Sequence, residues 1–187
     1  MPIRRYSQVA VLLHWLVAAL IVTNVLLAWT WDSLSKADSH AAINIHKSIG
    51  LTVFGLALLR LLWRFSHRPP AYPATYQRWE RLLSHIVHGL LYLVMFGLPL
   101  TGYIMDSAPK GPAEHPIVWF GLFEFPHISA ILHLAPTLRA QVHEFFETAH
   151  GLSADALYAL LFLHVTGALK HQFIDRIKAV QRMSWGR

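Results

Sequence analysis

Histidine is the residue with the most evident capacity for chemistry in this sequence of 187 residues, because it occurs thirteen times and several copies fall inside long apolar segments. Imidazole is the commonest metal ligand in proteins, and ionisable side chains are rare in lipid unless they have a function. A neutral imidazole binds a metal without adding charge, and burial favours the neutral form. His14, His46, His150 and His164 are therefore candidate ligands.

The spacing of these four histidines suggests what they bind. His150 and His164 are fourteen residues apart, which in an α-helix is about 21 Å along the axis with only about 40° between their directions. One helix would thus present two imidazoles on one face at two depths. His46 matches the depth of His150, and His14 that of His164. Each pair could supply both axial nitrogens of a b-type haem, an arrangement that suits electron transfer more than oxygen binding.

Other interpretations apply to each histidine taken alone. A histidine in a membrane span can be a proton relay, an interhelical hydrogen-bond partner or a helix-end residue, and a transporter that uses such relays is an alternative function. His85 and His88 are rival ligands for the inner haem. We expect them instead to hydrogen-bond a haem propionate or water, because the fourth helix already offers two aligned imidazoles.

Four apolar segments are long enough to carry these residues across a bilayer. The chain is 55% hydrophobic and only 14% charged, against about 25% charged for ordinary soluble domains. It contains no cysteine, which excludes iron–sulfur clusters and covalently attached c-type haem. We predict an all-α membrane four-helix bundle, one domain over residues 1–187, with spans at about 9–31, 41–63, 84–105 and 150–171.

The stretch 106–149 is predicted to be an outer loop, because it contains five prolines. A short surface helix is expected within it over 135–149, with Pro136 suited to the first helical position. The loop would cover the outer haem. The segment His143-Glu144-Phe145-Phe146-Glu147 resembles a zinc-protease motif only superficially, since its last residue is glutamate.

Charge predicts the orientation. Most of the basic residues lie at the two termini and between the second and third spans, namely Arg4, Arg5, Arg60, Arg64, Arg68, Arg78, Arg81, Lys170, Arg176, Lys178, Arg182 and Arg187. Positively charged flanks remain in the cytoplasm, so both termini are predicted to be cytoplasmic. The net charge of +6 is then a topological signal, and no nucleic-acid partner is expected.

Three further residues could take part in the function. Arg60 lies fourteen residues after His46 and so on the same face, where it could pair with a haem propionate or extend to lipid phosphate. Lys170 and His171 follow His164 at the inner boundary. His171 could hydrogen-bond a quinone oxygen and pass a proton, although a solvated basic helix end is the alternative.

Several short motifs resemble the bacterial cytochrome b561 family, and together they cover nearly the whole chain outside 106–148. They are Arg5-Tyr6-Ser7 with His14-Trp15, His46-Lys47-Ser48-Ile49-Gly50, His85 and His88 with Leu91-Tyr92, His164 with Gly167-Ala168-Leu169-Lys170-His171, and Phe173-Ile174-Asp175-Arg176. Each motif is short, but their order and spacing are specific.

The resemblance implies a four-helix bundle in the bacterial inner membrane that binds two haem b groups, with His14, His46, His150 and His164 as ligands. It also implies an oxidoreductase that exchanges electrons with quinone, ubiquinone for example, and in some relatives oxidises superoxide. The expected partners are membrane lipid, quinone and a small outer-face donor or redox protein. The alternative is a membrane-anchor subunit that relays electrons for a dehydrogenase or hydrogenase complex.

Overall fold

A computed structural model describes residues 5–73, 75–110 and 117–185, and four long helices account for most of them. These are α1 (Gln8–Thr30), α2 (Lys36–Ser66), α3 (Arg78–Asp106) and α5 (Pro136–Leu169). All four are long and apolar enough to cross a membrane, and most of their side chains are not buried by the protein itself. The predicted all-α membrane bundle is thus confirmed.

Polar residues mark the helix starts. Ser7 accepts a hydrogen bond from the backbone of Ala10 at the start of α1, and Ser35 accepts one from Asp38 at the start of α2. Gln77 and Glu80 form a reciprocal capping box at the start of α3. Pro99 lies inside α3 without ending it, as membrane helices tolerate.

The helices pack in the order α1, α2, α3, α5, with α3 and α5 in the most extensive contact. One core cluster joins α1, α2 and α3 around Val17, Val53 and Met95. A second joins α3 and α5 around Leu91 and Leu157. The backbones of α1 and α2 lie farther from α5 than that of α3 does, which leaves room for bound groups between them.

Both ends of the described chain meet at one end of the bundle, which we call the inner end. The Tyr6 amide donates to the Arg182 carbonyl (3.1 Å), and the Trp15 indole donates to the carbonyl of Met183 (2.6 Å). The Arg182 guanidinium also donates to the carbonyls of Pro70 and Ala71, in the connection between α2 and α3. The opposite end, which carries the connection between α3 and α5, is the outer end.

The connection at the outer end differs from the predicted loop. Residues 136–149 are the first part of α5 and do not form a separate surface helix. Pro136 does stand at the helix start, and between it and Gly151 the sequence contains neither proline nor glycine, so nothing ends the helix at the membrane boundary. The predicted loop 106–149 is therefore wrong in extent, because the helix that carries the fourth apolar span begins at Pro136, fourteen residues before the predicted span start at residue 150.

A small β-hairpin also lies in this connection. It consists of β1 (Ile117–Trp119) and β2 (Phe123–Phe125), which pair antiparallel, and a single-turn helix α4 (Ser129–Leu132) follows it. Phe120 and Gly121 at the turn have positive φ angles of 46° and 74°. Short 3₁₀ turns at Trp31–Ser33 and Val180–Met183, and a π-helical turn at Lys170–Ile174, complete the fold.

Candidate functional site

His46 and His150 face each other near the outer end of the bundle. His46 lies on α2 and His150 on α5, and their ring centres are 6.3 Å apart with an angle of 68° between the ring planes. Each ring is held by a backbone carbonyl. The Nδ1 atom of His46 lies 3.2 Å from the Asn24 oxygen, and that of His150 lies 3.0 Å from the Leu98 oxygen.

These hydrogen bonds determine which ring nitrogen is available. A carbonyl oxygen only accepts, so Nδ1 carries the proton in each ring and Nε2 is left with a free lone pair. Metal-bound histidines commonly donate their second nitrogen to a carbonyl in this way. His46 and His150 are therefore held in the tautomer that would leave Nε2 free to bind a haem iron.

Gly102 on α3 leaves space for the His150 ring. A Cβ atom added at Gly102 would lie 3.2 Å from Cε1 and 3.3 Å from Nδ1 of His150, closer than ordinary van der Waals contact. A larger residue would push the imidazole out of position. Glycine at this point is thus explained by the close approach of the ring.

A cavity of about 360 Å³ opens between the two rings. Its wall is mainly apolar and includes Ile21, Val25, Leu51, Met95 and Leu157. Lys47, Asp106 and Glu147 lie at its polar part. An apolar chamber lined by two imidazoles suits the apolar body of a porphyrin.

His14 and His164 form the second pair, nearer the inner end. His14 lies on α1 and His164 on α5, and their ring centres are 6.1 Å apart with an angle of 69° between the ring planes. The Nδ1 atom of His14 is buried and has no hydrogen-bond partner among the described residues. Such an atom is costly to bury, which indicates that a group bound in this space completes the site.

Both separations fit an iron atom between the rings. An iron atom between the rings would bond one nitrogen of each imidazole at about 2 Å. When the distance from each nitrogen to the centre of its own ring is added, the two ring centres would lie about 6.3 Å apart. The rival His88 has its ring centre 5.2 Å from that of His164, and its Nδ1 lies 2.6 Å from the Ser84 oxygen. That separation is about 1 Å too short for an iron between them.

His85 lies away from both pairs. Its ring is exposed, its Nδ1 lies 2.6 Å from the Arg81 carbonyl, and it contacts the ring of Tyr72 edge-on at 5.2 Å. The structure thus brings together the four histidines that the spacing selected. It keeps His88 beside the inner pair and places His85 at the surface.

Arg60 lies close to the inner pair. It lies within electrostatic range of His14 and His164, and its guanidinium carbon is 5.6 Å from the centre of the Tyr92 ring. It is half-buried, and among the described residues no carboxylate forms a salt bridge with it. A half-buried cation without a counter-ion is suited to a haem propionate.

Lys170 and His171 belong to a charged network at the inner end, on the π-helical turn after α5. Lys170 donates to the carboxylates of Glu80 and, at 2.8 Å, Asp175. The Nδ1 atom of His171 lies 2.7 Å from Asp175 Oδ2, so the ring donates this bond. The Tyr76 ring stacks on that of His171 with centres 4.1 Å apart.

The hydrogen bonds of this network affect the ionisation of Asp175. The hydrogen bond from Lys170 holds the pKa of the Asp175 carboxyl below its ordinary value of 3.8, so Asp175 remains an acceptor at neutral pH.

The same residues have a spacing that could suit a metal ion, because potential ligand atoms of Glu80, His171 and Asp175 lie within 4.8 Å of one another. The ammonium of Lys170 already supplies a cation to both carboxylates, which makes a metal ion unnecessary there.

Sequence reasoning missed Glu80, Asp175 and Tyr76 as partners of Lys170 and His171. The spacing of His171 and Asp175, four residues apart, was a signal that could have identified that pair. The contact between Lys170 and Glu80 spans ninety positions and had no local signal.

Two lysines at the outer end are paired with carboxylates. Lys47 pairs with Asp106, Lys110 pairs with Glu147 (2.7 Å), and the Arg139 guanidinium donates to the Leu132 carbonyl. His143 donates to the Ala108 carbonyl (2.8 Å), and His127 lies 3.4 Å from Asp106. His115, a further outer-loop histidine, lies outside the described residues. Since Lys47 and Lys110 are paired, they do not act as free cations for an anionic donor.

Comparison with known proteins identifies the family. A model of the family described as Prokaryotic cytochrome b561 matches residues 5–186. The chain belongs to this family. As a cytochrome b561 family member it is a multi-pass membrane b-type cytochrome, which binds b-type haem, and the resemblance seen in the sequence motifs is confirmed.

Several individual relatives match the cytochrome over almost its whole length. It is 32% identical to cytochrome b561 homolog 2 of Escherichia coli K12, over 96% of this chain and 90% of the relative. It is 26% identical to a probable superoxide oxidase CybB of Yersinia pestis, over 96% of each chain. It is 23% identical to cytochrome b562 of Cereibacter sphaeroides, over 95% of this chain and 94% of the relative.

Proposed function

We propose that this cytochrome transfers electrons across the membrane between a small donor or redox protein at its outer end and ubiquinone at its inner end. Two b-type haems would bind, one between His46 and His150 and one between His14 and His164. The observation that carries the proposal is the presence of two facing imidazole pairs, with ring centres 6.3 and 6.1 Å apart, at two depths along α5.

The residues of each pair have defined tasks in this proposal. When bound, haem iron supplies one-electron oxidation and reduction, and two imidazoles leave it no open position for oxygen. The carbonyls of Asn24 and Leu98 orient the outer imidazoles. Arg60 would neutralise a propionate of the inner haem, and the apolar cavity wall excludes water from the outer one.

The distance between the pairs supports transfer across the membrane. His150 and His164 are fourteen residues apart on one continuous helix, so the two haem centres would lie about 21 Å apart along its axis. The hydrocarbon core is about 30 Å thick, and two cofactors at that spacing would bridge most of it. A protein that exchanged electrons at one face only would need a single haem.

We place quinone chemistry at the inner end, near His171 and Lys170. Quinone reduction consumes protons, and the network of Glu80, Lys170, His171 and Asp175 holds acidic and basic groups in hydrogen-bond contact at the membrane boundary. The bond from Nδ1 to Asp175 leaves Nε2 of His171 free, and in the protonated ring this nitrogen could donate a proton to a quinone oxygen. A quinone bound at the outer haem, beneath the connection between α3 and α5, is the outcome to be distinguished from this one.

The donor is proposed by similarity alone. Because one relative is named a probable superoxide oxidase, superoxide is the first outer-face donor to test, and a redox protein is the second. A membrane-anchor subunit of a dehydrogenase or hydrogenase would instead copurify with its partner. Stopped-flow addition of superoxide to the purified oxidised protein, with and without ubiquinone, distinguishes these functions: superoxide should reduce the haem, and ubiquinone should reoxidise it.

The inner end is proposed to face the cytoplasm in the bacterial inner membrane, because basic residues cluster there. Topology reporters fused after Arg187 and within residues 109–116 test this orientation. A cytoplasmic signal from the fusion within 109–116 would reverse it.

A further inference from the structure

The hairpin formed by β1 and β2 has an apolar tip that the rest of the described chain leaves uncovered. The tip consists of Phe120, Gly121, Leu122 and Phe123, and the side chains of Leu122 and Phe123 are 72% and 53% exposed. Such a sequence would be unfavourable on a surface in contact with water. We propose that this tip is embedded in the acyl chains of the leaflet at the outer end of the bundle.

The hydrogen bonds between the hairpin and α2 indicate how far the tip lies from the outer end of the bundle. The Phe120 amide donates to the Ser48 hydroxyl (3.0 Å), and the Trp119 indole donates to Thr52 (3.2 Å), one turn nearer the inner end. The hairpin therefore attaches to α2 on the inner side of His46. It does not rest on the outer end of the helix, which begins at Lys36.

Two independent helices place Ser48 below the membrane surface. His46 contacts the Asn24 carbonyl of α1, and the six helical steps from Asn24 to the end of α1 at Thr30 rise about 9 Å. On α2, Ser48 lies about 22 Å from Trp63, an indole suited to the inner interface. Measured from Trp63 at the inner interface, a hydrocarbon core about 30 Å thick extends about 8 Å beyond Ser48 toward the outer end.

Two backbone amides of the tip have the protein partners that lipid cannot supply. Lipid cannot hydrogen-bond to an amide, so non-helical backbone at this depth needs partners within the protein. The amide of Phe120 is bonded to Ser48, and the amide of Leu122 is bonded to the Trp119 carbonyl (2.9 Å). Ser48, fully buried on α2, is thus explained as a partner for the hairpin.

Glu124 limits how deep the hairpin can lie. It is exposed and follows the tip directly, and two strand residues from Leu122 rise about 7 Å. Glu124 pairs with Val118, whose carbonyl lies 3.3 Å from the Ser48 hydroxyl, so Glu124 stands close to the contact with α2 and keeps that part of the hairpin within reach of the head groups.

The depth of single spin labels tests this proposal, which does not depend on the direction of electron transfer. The chain has no cysteine, so Leu122→Cys, Phe123→Cys and Glu124→Cys each give one labelling site in the full-length protein. Two apolar residues of similar exposure serve as controls: Leu26→Cys on α1 (52% exposed) for lipid, and Leu138→Cys at the start of α5 (46% exposed) for water.

The protein is reconstituted into phospholipid vesicles, and the power saturation of each label is measured with oxygen and with a water-soluble nickel chelate. We expect labels at Leu122 and Phe123 to show an oxygen-to-nickel accessibility ratio close to that at Leu26 and several-fold above that at Leu138, with Glu124 intermediate. Nickel accessibility equal to that at Leu138 would overturn the proposal. So would low accessibility to both reagents at Leu122 and Phe123, because it would show that another protein surface covers the tip.

Discussion

His150 and His164 lie fourteen residues apart on one uninterrupted helix, and each faces an imidazole from another helix, His46 in one case and His14 in the other. One helix thus lines two sites at different depths. The consequence is that the two sites can be altered separately, since each depends on its own opposing helix and its own neighbours.

Gly102 offers a selective test of the outer site. Gly102→Ala puts a methyl group within 3.3 Å of the His150 ring, and such displacement of a supported ligand should weaken outer haem binding by about 10-fold or more. The measurement is haem content and the low-temperature absorption spectrum of the purified variant. Gly97→Ala on the same helix is the control, because nothing lies within 4 Å of its added Cβ. Equal haem content in the two variants would contradict the role assigned to Gly102.

His171 tests the inner quinone site. His171→Ala should slow ubiquinone-dependent reoxidation of the reduced protein by about 100-fold, because a positioned acid is lost, while leaving the haem spectra unchanged. Stopped-flow absorbance at the haem bands gives the rate. His85→Ala, at an exposed position of the same end, should reoxidise at the wild-type rate. If His171→Ala also does so, the quinone binds elsewhere, and the outer cavity becomes the next candidate.

The network around Asp175 predicts how stability depends on pH. The folded-state pKa of Asp175 is lowered, chiefly by the hydrogen bond from Lys170, so the carboxylate stabilises the fold above its ordinary pKa. That stabilisation is lost as pH falls through the lowered value. Asp175→Asn should therefore lower the thermal midpoint near pH 7, and its difference from wild type should shrink below about pH 4.

A variant that lacks Lys170 tests whether the stabilisation by Asp175 depends on that lysine. In a Lys170→Met protein the same substitution at Asp175 should change the midpoint near pH 7 much less, because the main partner is already absent. Scanning fluorimetry in detergent across the pH range provides both comparisons. A difference between Asp175→Asn and wild type that is constant from neutral to acid pH would contradict the assignment.

Much of the bundle could be predicted from the sequence because a membrane imposes simple requirements on it. Spans must be about 20 apolar residues long, and an imidazole inside them needs a function. The pairing of His14 with His164 followed from their predicted depths in the membrane, and the structure places their ring centres 6.1 Å apart with an angle of 69° between the ring planes.

Features that depend on contacts between distant residues could not be predicted in this way. The hydrogen bond from the Phe120 amide to Ser48 joins positions seventy-two residues apart, and no local pattern reveals it. The start of α5 at Pro136 was obscured because the amphipathic first turns lie outside the apolar span. Polar helix and polar loop have similar composition there, so the helical signal lay in the absence of glycine and proline after Pro136.

The number of haems per chain tests the central claim most directly. The pyridine haemochrome assay on purified protein, normalised to protein by amino-acid analysis, should give two haem b per chain for the wild type. It should give one for His150→Ala, one for His164→Ala and two for His85→Ala, because only the first two variants remove an axial bond. A single haem in the wild-type protein, or two low-spin haems retained in either the His150 or the His164 variant, would contradict the account.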